Sequence, residues 1–239
     1  PKILFDHCYG KYAIAAVNVF TMEQVHGLFA AAQASGTPVI VQLTPVARNY
    51  AHPRMLQAMV QAAAQIYPEV VYSIHLDHGT EEHAFSAIDQ GYSSVMIDAS
   101  HDPFEINIKR TSAVTKAAHQ KNVFVEAELG VLSGVEDDLS VDESMAKYTN
   151  PEQAREFVER SGCDSLAVAV GTSHGAYKFS GGQGLQFQVL EKIQEQLPRY
   201  PLVLHGSSSV SSSDVAAINQ YGGKLKENAS GVSDSELQK

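Results

Sequence analysis

The sequence predicts an α/β fold of the (β/α)8, or TIM barrel, class. Short apolar, β-branched runs alternate with amphipathic helical stretches; the alternation recurs seven times with no break in composition; and histidines and carboxylates gather where the strand-like runs end. A doubly wound open sheet is the runner-up. With 239 residues, 44% hydrophobic and 18% charged, the chain can bury the core of one large domain. A single barrel domain over 1–239 is therefore the expectation.

The strand-like runs, in order, are Ala13–Val19, Pro38–Leu43, Val71–Leu76, Ser94–Asp98, Val123–Leu129, Ser165–Val170 and Leu202–Leu204. After the first, Thr21 with Gln24 makes a capping box for a helix reaching about Ala34. Asn150 before Pro151 reads as an N-cap with proline at the first helical position, and Gly162 falls where a C-cap glycine belongs. Ser233 with Glu236 reads as another capping box. The sequence stops in a helical pattern after the seventh run, so a truncated C-terminus, lacking the eighth strand and its helices, is expected. Ser133–Tyr148 is polar and acidic, carries no strand or helix signal, and reads as a long functional or disordered loop.

A formal charge of -10 with no Lys/Arg run argues against nucleic acid and anionic membrane as partners. No apolar run approaches the roughly 20 residues that span a bilayer, and PKILFDHCYG does not read as a secretory signal. Cys8 and Cys163 are too isolated for a disulfide framework and fit a reducing cytoplasm.

The chemistry lies at the strand ends. Successive runs deliver His75-Leu76-Asp77-His78-Gly79, Asp98-Ala99-Ser100-His101, Glu126-Ala127-Glu128, Gly171-Thr172-Ser173-His174-Gly175 and His205-Gly206-Ser207-Ser208-Ser209. Three imidazoles with an open position make a common catalytic zinc site. His78, His174 and His205 are the candidate ligands, because each directly precedes a glycine that lets the backbone turn and substrate approach. Glu126 and Glu128 share one strand face, which is costly in a barrel interior unless they are paired or metal-bound. Glu128 could join Asp98 at a second metal position, whereas Glu126 fits a core cation partner equally well. His75 reads better as a buried, hydrogen-bonded histidine than as a ligand. The Gly206–Ser209 run suits a phosphate or a plain serine-rich turn.

Six segments carry a family resemblance: AVNV (16–19), HLDHG (75–79), SSVMIDASH (93–101), VEAELGVLSGVEDD (125–138), YTNPEQAREFVERSGCDSLAVAVGTSHGAYKF (148–179) and PLVLHGSSSV (201–210). Together they resemble the class II, zinc-dependent fructose-bisphosphate and tagatose-bisphosphate aldolases over nearly the whole chain. The resemblance implies catalytic zinc on His78, His174 and His205, and a second divalent metal position at Asp98 and Glu128. Asp77 falls on the aspartate that exchanges a proton with the C4 hydroxyl. Glu136 falls on the glutamate that moves the proton at the enediolate carbon. Gly175, Gly206, Ser207 and Ser208 match segments that hold the dihydroxyacetone phosphate part, with a monovalent cation (Na+ or K+) nearby in several members. Thr44 stands where a serine often contacts the aldehyde half.

The implied activity is reversible cleavage of fructose 1,6-bisphosphate, a glycolytic and gluconeogenic step, through a zinc-stabilised enediolate, in a homodimer or homotetramer. A tagatose-1,6-bisphosphate aldolase and a non-catalytic partner subunit are the alternatives, and a metal-dependent hydrolase is a reading from another class. The sequence departs from the family pattern at Leu43-Thr44-Pro45-Val46, where a glycine-rich stretch is common, and at Ser211, where proline is common. The Asn and Asp expected on a last strand fall on no segment of these residues. That leaves open the choice between fructose and tagatose bisphosphates, which differ only at C4.

Overall fold

Strand formation follows the apolar runs closely in a computed structural model that describes residues 1–136, 139–141, 147–174, 184–225 and 231–239, without the side chains of 133–136, 139–141 and 174. The chain divides into two units. The first comprises Pro1–Ala99, Glu105–Ala127 and Ser161–Asp164; the second comprises Ser100–Phe104, Glu128–Arg160 and Ser165–Lys239.

The first unit alternates strand and helix: α1 (Lys2–Cys8), β1 (Ala15–Asn18), α2 (Met22–Ser35), β2 (Val39–Leu43), α3 (Pro45–Ala51), α4 (Pro53–Ile66), β3 (Tyr72–Gly79), α5 (Glu81–Asp89), β4 (Ser94–Ile97), most of α6 (Phe104–His119) and most of β5 (Phe124–Leu129). Strands β1 to β5 pair in parallel, for example Val41 with Ile74 and Val95 with Val125. Inner parallel strands have both faces covered, and all five residues of β2 are accordingly buried, whereas the four residues of β1 are exposed. Val41, Leu43, Leu76, Val95, Ile97 and Val125 are wholly buried in this core, each contributing about 1.5–3 kcal/mol of transfer free energy.

Helix ends are set by local chemistry. Thr21 and Gln24 form the expected reciprocal capping box, and α2 stops at Gly36 in the left-handed region. Thr44 caps α3, and Thr80 caps α5 with His83 in the reciprocal position.

The second unit holds the hairpin β6 (Ser133–Glu136) and β7 (Leu139–Val141), then most of α7 (Pro151–Ser161), β8 (Ser165–Val168), β9 (Ser173–His174), α8 (Phe187–Gln196), β10 (Leu202–Val203), α9 (Ser212–Gln220) and α10 (Asp234–Leu237). Strand β8 pairs with β10 in parallel, Leu166 opposite Leu202. The seven parallel strands follow the order β1-β2-β3-β4-β5-β8-β10, which is the order of the chain and matches the seven expected runs.

Two expectations are corrected. The 133–148 stretch is not structureless: β6 pairs with β7 antiparallel and with β9 in parallel. Its strand state comes from these partners, because Ser-Gly-Val-Glu has too little apolar alternation to signal a strand by itself. At Ser233 the hydroxyl does not cap α10 but donates to Glu236 Oε2 at 3.1 Å. Glu236 Oε1 is meanwhile engaged by the Leu185 N–H at 3.3 Å, so its side chain is not available to close a capping box.

Candidate active site

A cluster of polar side chains in the first unit lies at the C-terminal ends of β1 to β4. Asp77 is 1% exposed. A buried carboxylate is tolerable only where its oxygens are engaged, and here each receives an amide. Asn18 Nδ2 donates to Oδ2 at 2.6 Å, and Gln42 Nε2 donates to Oδ1 at 3.1 Å. Asn18 and Gln42 are register partners across β1 and β2, and Gln42 is the partner of His75 across β2 and β3. Sheet register therefore sets the two amides side by side, next to the strand that carries Asp77.

Next along β3, His78 adopts φ 44°, an uncommon value for a non-glycine residue. The β3–β4 register shifts between Leu76 and Gly79, so the bulge coincides with Asp77 and His78. This local twist brings His78 Nδ1 within 2.9 Å of Asp98 Oδ2, just beyond β4. His78 Nε2 lies 4.0 Å from Asp77 Oδ1. A carboxylate on one imidazole nitrogen fixes the ring and raises its basicity toward a metal on the other. His78 and Asp98 belong to a histidine–carboxylate group that could hold a metal ion, and imidazole with carboxylate suits zinc.

His75 is buried and hydrogen-bonded through Nδ1 to Ser94 Oγ at 2.8 Å, with Glu126 Oε2 at 3.7 Å from Nε2. It is thus the core histidine that the sequence suggests, and the neighbour of Glu126 described there is His75. Thr44 is buried at the start of α3, where its hydroxyl oxygen accepts from Ala47 N at 3.1 Å. Among the described residues no acceptor for the Thr44 hydroxyl proton is recorded.

The second unit carries Glu128, His174, His205, Gly206, Ser207, Ser208 and the backbone of Glu136. Glu128 is buried on β5, and His205 is buried in the turn after β10. Gly206 has φ 66°, and a Cβ there would stand 2.6 Å from Ser173 O, so the turn lies directly against the backbone leading to His174. Only glycine permits that approach. Ser207 Oγ donates to Leu204 O at 3.0 Å, and Ser208 is exposed.

The backbone of His174 pairs with Gly134, which places the β6–β7 hairpin carrying Glu136 beside the His174 strand. Thr149 closes the base of that hairpin. Its hydroxyl donates to Leu129 O and accepts from Ala169 N at 2.8 Å, while Val131 and Lys147 exchange two hydrogen bonds of 2.9 Å. Gly175 and the side chains of Glu136 and His174 lie outside the described residues.

Sequence reading missed Asn18, Gln42 and Thr149. A glutamine inside the otherwise apolar run Val39–Leu43 was the available signal, since a polar side chain in a doubly covered strand needs a partner.

Residues 2–230 match the family model described as fructose-bisphosphate aldolase class-II. A fructose-bisphosphate aldolase of Giardia intestinalis is 45% identical over 217 residues, covering 90% of this chain and 66% of that protein. One of Thermus caldophilus is 44% identical over 229 residues, covering 95% and 74%. Among solved structures, the YdjI aldolase of Escherichia coli superimposes with a TM-score of 0.74 at 32% identity, covering 97% of this chain and 78% of that one. A Coccidioides immitis structure gives a TM-score of 0.76 at 28% identity with the same coverage. The strand order, the family match and these relatives agree on one architecture, and the chain belongs to the class II fructose-bisphosphate aldolase family.

Proposed function

We infer that the protein cleaves fructose 1,6-bisphosphate reversibly to dihydroxyacetone phosphate and glyceraldehyde 3-phosphate. The observation that carries this reading is the Asp77 carboxylate, buried beside His78 and held by one amide on each oxygen. A proton acceptor so fixed, next to a candidate metal ligand, suits removal of a hydroxyl proton as a neighbouring carbon–carbon bond breaks.

The family is zinc-dependent, and the imidazole and carboxylate donors fit that ion. His78, His174 and His205 would hold it. When bound, the ion supplies a Lewis acid that polarises the C2 carbonyl and makes a lysine Schiff base unnecessary. Asp98 and Glu128 would serve a second divalent position, and Asp98 also orients His78. Asp77 takes the proton from the C4 hydroxyl, and Asn18 and Gln42 keep the carboxylate aimed. Glu136, on β6, returns a proton to the carbon left electron-rich by cleavage. Gly175, Gly206, Ser207 and Ser208 would hold the phosphate of the dihydroxyacetone phosphate part, with a monovalent cation alongside, and Thr44 would donate to the aldehyde half. The enzyme would work as a cytoplasmic homo-oligomer. Among the described residues no helix is long and apolar enough to cross a membrane.

Asp77→Ala tests the assignment. It should lower kcat by about a thousandfold, within the range for a positioned acid–base group, while the zinc content stays that of the unsubstituted protein. Near-normal turnover in that variant would remove Asp77 from the mechanism.

A further inference from the structure

Arg48 is 4% exposed, yet among the described residues no carboxylate pairs with its guanidinium. Its Nη2 donates to Ser86 Oγ at 3.0 Å and its Nη1 to His83 O at 3.4 Å, while the Tyr92 ring lies 5.4 Å from Cζ. Among the described residues Nε has no hydrogen-bond partner. A buried cation without a counter-ion is a costly way to join two helices, and a well-packed apolar residue joins them as well or better. The cost points to a demand for geometry that the rigid guanidinium fork meets.

The connections of Arg48 show which geometry. Its main-chain N–H donates to Thr44 O at 3.0 Å, within the turn that Thr44 caps. Its side chain holds His83, whose ring completes the Thr80 capping box at the start of α5. His83 in turn packs against the exit of β3, since a Cβ on Gly79 would stand 3.2 Å from His83 Cβ. A continuous path thus runs from Thr44 through Arg48 and His83 to Gly79, next to His78 and Asp77.

We propose that Arg48 is a positioning residue that sets the spacing between Thr44 and the Asp77–Gly79 exit of β3, and through it the fit of the aldehyde half of the substrate. The proposal rests on the aldolase reading above and on Thr44 as the aldehyde contact. It separates the two substrates of condensation, because dihydroxyacetone phosphate is held by other residues. A residue that merely stabilised the fold would lower the active fraction and leave both KM values alone.

The test measures condensation by the unsubstituted protein, Arg48→Met, Arg48→Lys and Tyr92→Phe, titrating glyceraldehyde 3-phosphate and dihydroxyacetone phosphate separately, with zinc content and thermal midpoint recorded for each. Arg48→Met should raise KM for glyceraldehyde 3-phosphate about tenfold, as expected when a contact moves by a fraction of an ångström, with KM for dihydroxyacetone phosphate changed less than about twofold. Arg48→Lys keeps the charge but not the fork and should move the aldehyde KM the same way by a smaller factor. Should the methionine variant fail to fold, the lysine variant carries the test. Tyr92→Phe, which disturbs the same packing but leaves the guanidinium bridge, should leave the ratio of the two KM values unchanged. Equal shifts in both KM values, no shift in either for both Arg48 variants, or the same ratio change in Tyr92→Phe would overturn the proposal. Absence of condensation by the unsubstituted protein would instead overturn the aldolase reading.

Discussion

In the first unit Asp77 and His78 stand on a strand and are held by side chains from neighbouring strands, whereas in the second His174 and His205 stand on a two-residue strand and in a turn, next to a glycine pressed against backbone. Register between parallel strands aims Asn18 and Gln42, so the first arrangement depends on hydrogen-bonding side chains on a rigid frame. The second depends on the absence of a side chain at Gly206. The two should therefore break under different substitutions.

The largest contrast is expected between two glycines. At Gly206 an added Cβ meets the main chain of Ser173 at 2.6 and 2.8 Å and needs a left-handed conformation at φ 66°. Something rigid must move, and Gly206→Ala should cost about a hundredfold in kcat/KM, the scale of an ångström-sized misplacement. At Gly79 the nearest atom is the end of a flexible side chain, Leu76 Cδ2 at 2.6 Å, followed by His83 Cβ at 3.2 Å. Gly79→Ala should cost less than about tenfold, because a rotamer change at Leu76 relieves most of the contact. Steady-state kinetics on the two alanine variants would invert the comparison if Gly79→Ala proved the more damaging.

Removing one amide from Asp77 should have an intermediate effect. A hydrogen bond to a charged group contributes about 1.5–3 kcal/mol, so Asn18→Ala or Gln42→Ala should lower kcat roughly ten- to a hundredfold, with zinc retained. Asn18, at 2.6 Å, should matter more than Gln42, at 3.1 Å. A pair of variants with unchanged kcat would mean that the strand alone aims Asp77.

The smallest effect concerns stability alone. Burial pushes the Tyr92 phenol above its ordinary value of 10.0, while the Arg48 guanidinium pulls it the other way. The folded protein thus favours the neutral phenol, and the contribution of Tyr92 to stability is fully present below pH 10.0. It falls as pH rises beyond that value, where only the unfolded chain ionises readily. Tyr92→Phe should flatten the alkaline limb of a urea-midpoint profile taken between about pH 8 and 11. An unchanged limb would assign the alkaline loss to other groups.

The parallel strands were legible because each is an apolar run between helix signals: Pro38–Leu43 and Ser165–Val170 in the sequence became Val39–Leu43 and Ser165–Val168 in the fold. The hairpin at Ser133–Val141 was not legible, because its strands exist through pairing with one another and with Ser173–His174. The place of Asp77 and His78 at a strand end was visible in the sequence, and the role expected of Asp77 came from the family resemblance. The bulge that aims them was not visible, since nothing in His-Leu-Asp-His-Gly marks His78 for a positive φ. Asn18 was hidden in a run that reads as ordinary strand. Arg48 was hidden for a different reason: its meaning comes from what it touches and from having no carboxylate partner among the described residues.

The most direct test of the account is cleavage of fructose and tagatose 1,6-bisphosphates by the full chain, before and after chelation and again after zinc is returned. The account predicts release of dihydroxyacetone phosphate from the fructose epimer, lost on chelation and restored by zinc. Cleavage that survives exhaustive chelation, or no cleavage by zinc-loaded folded protein, would contradict it.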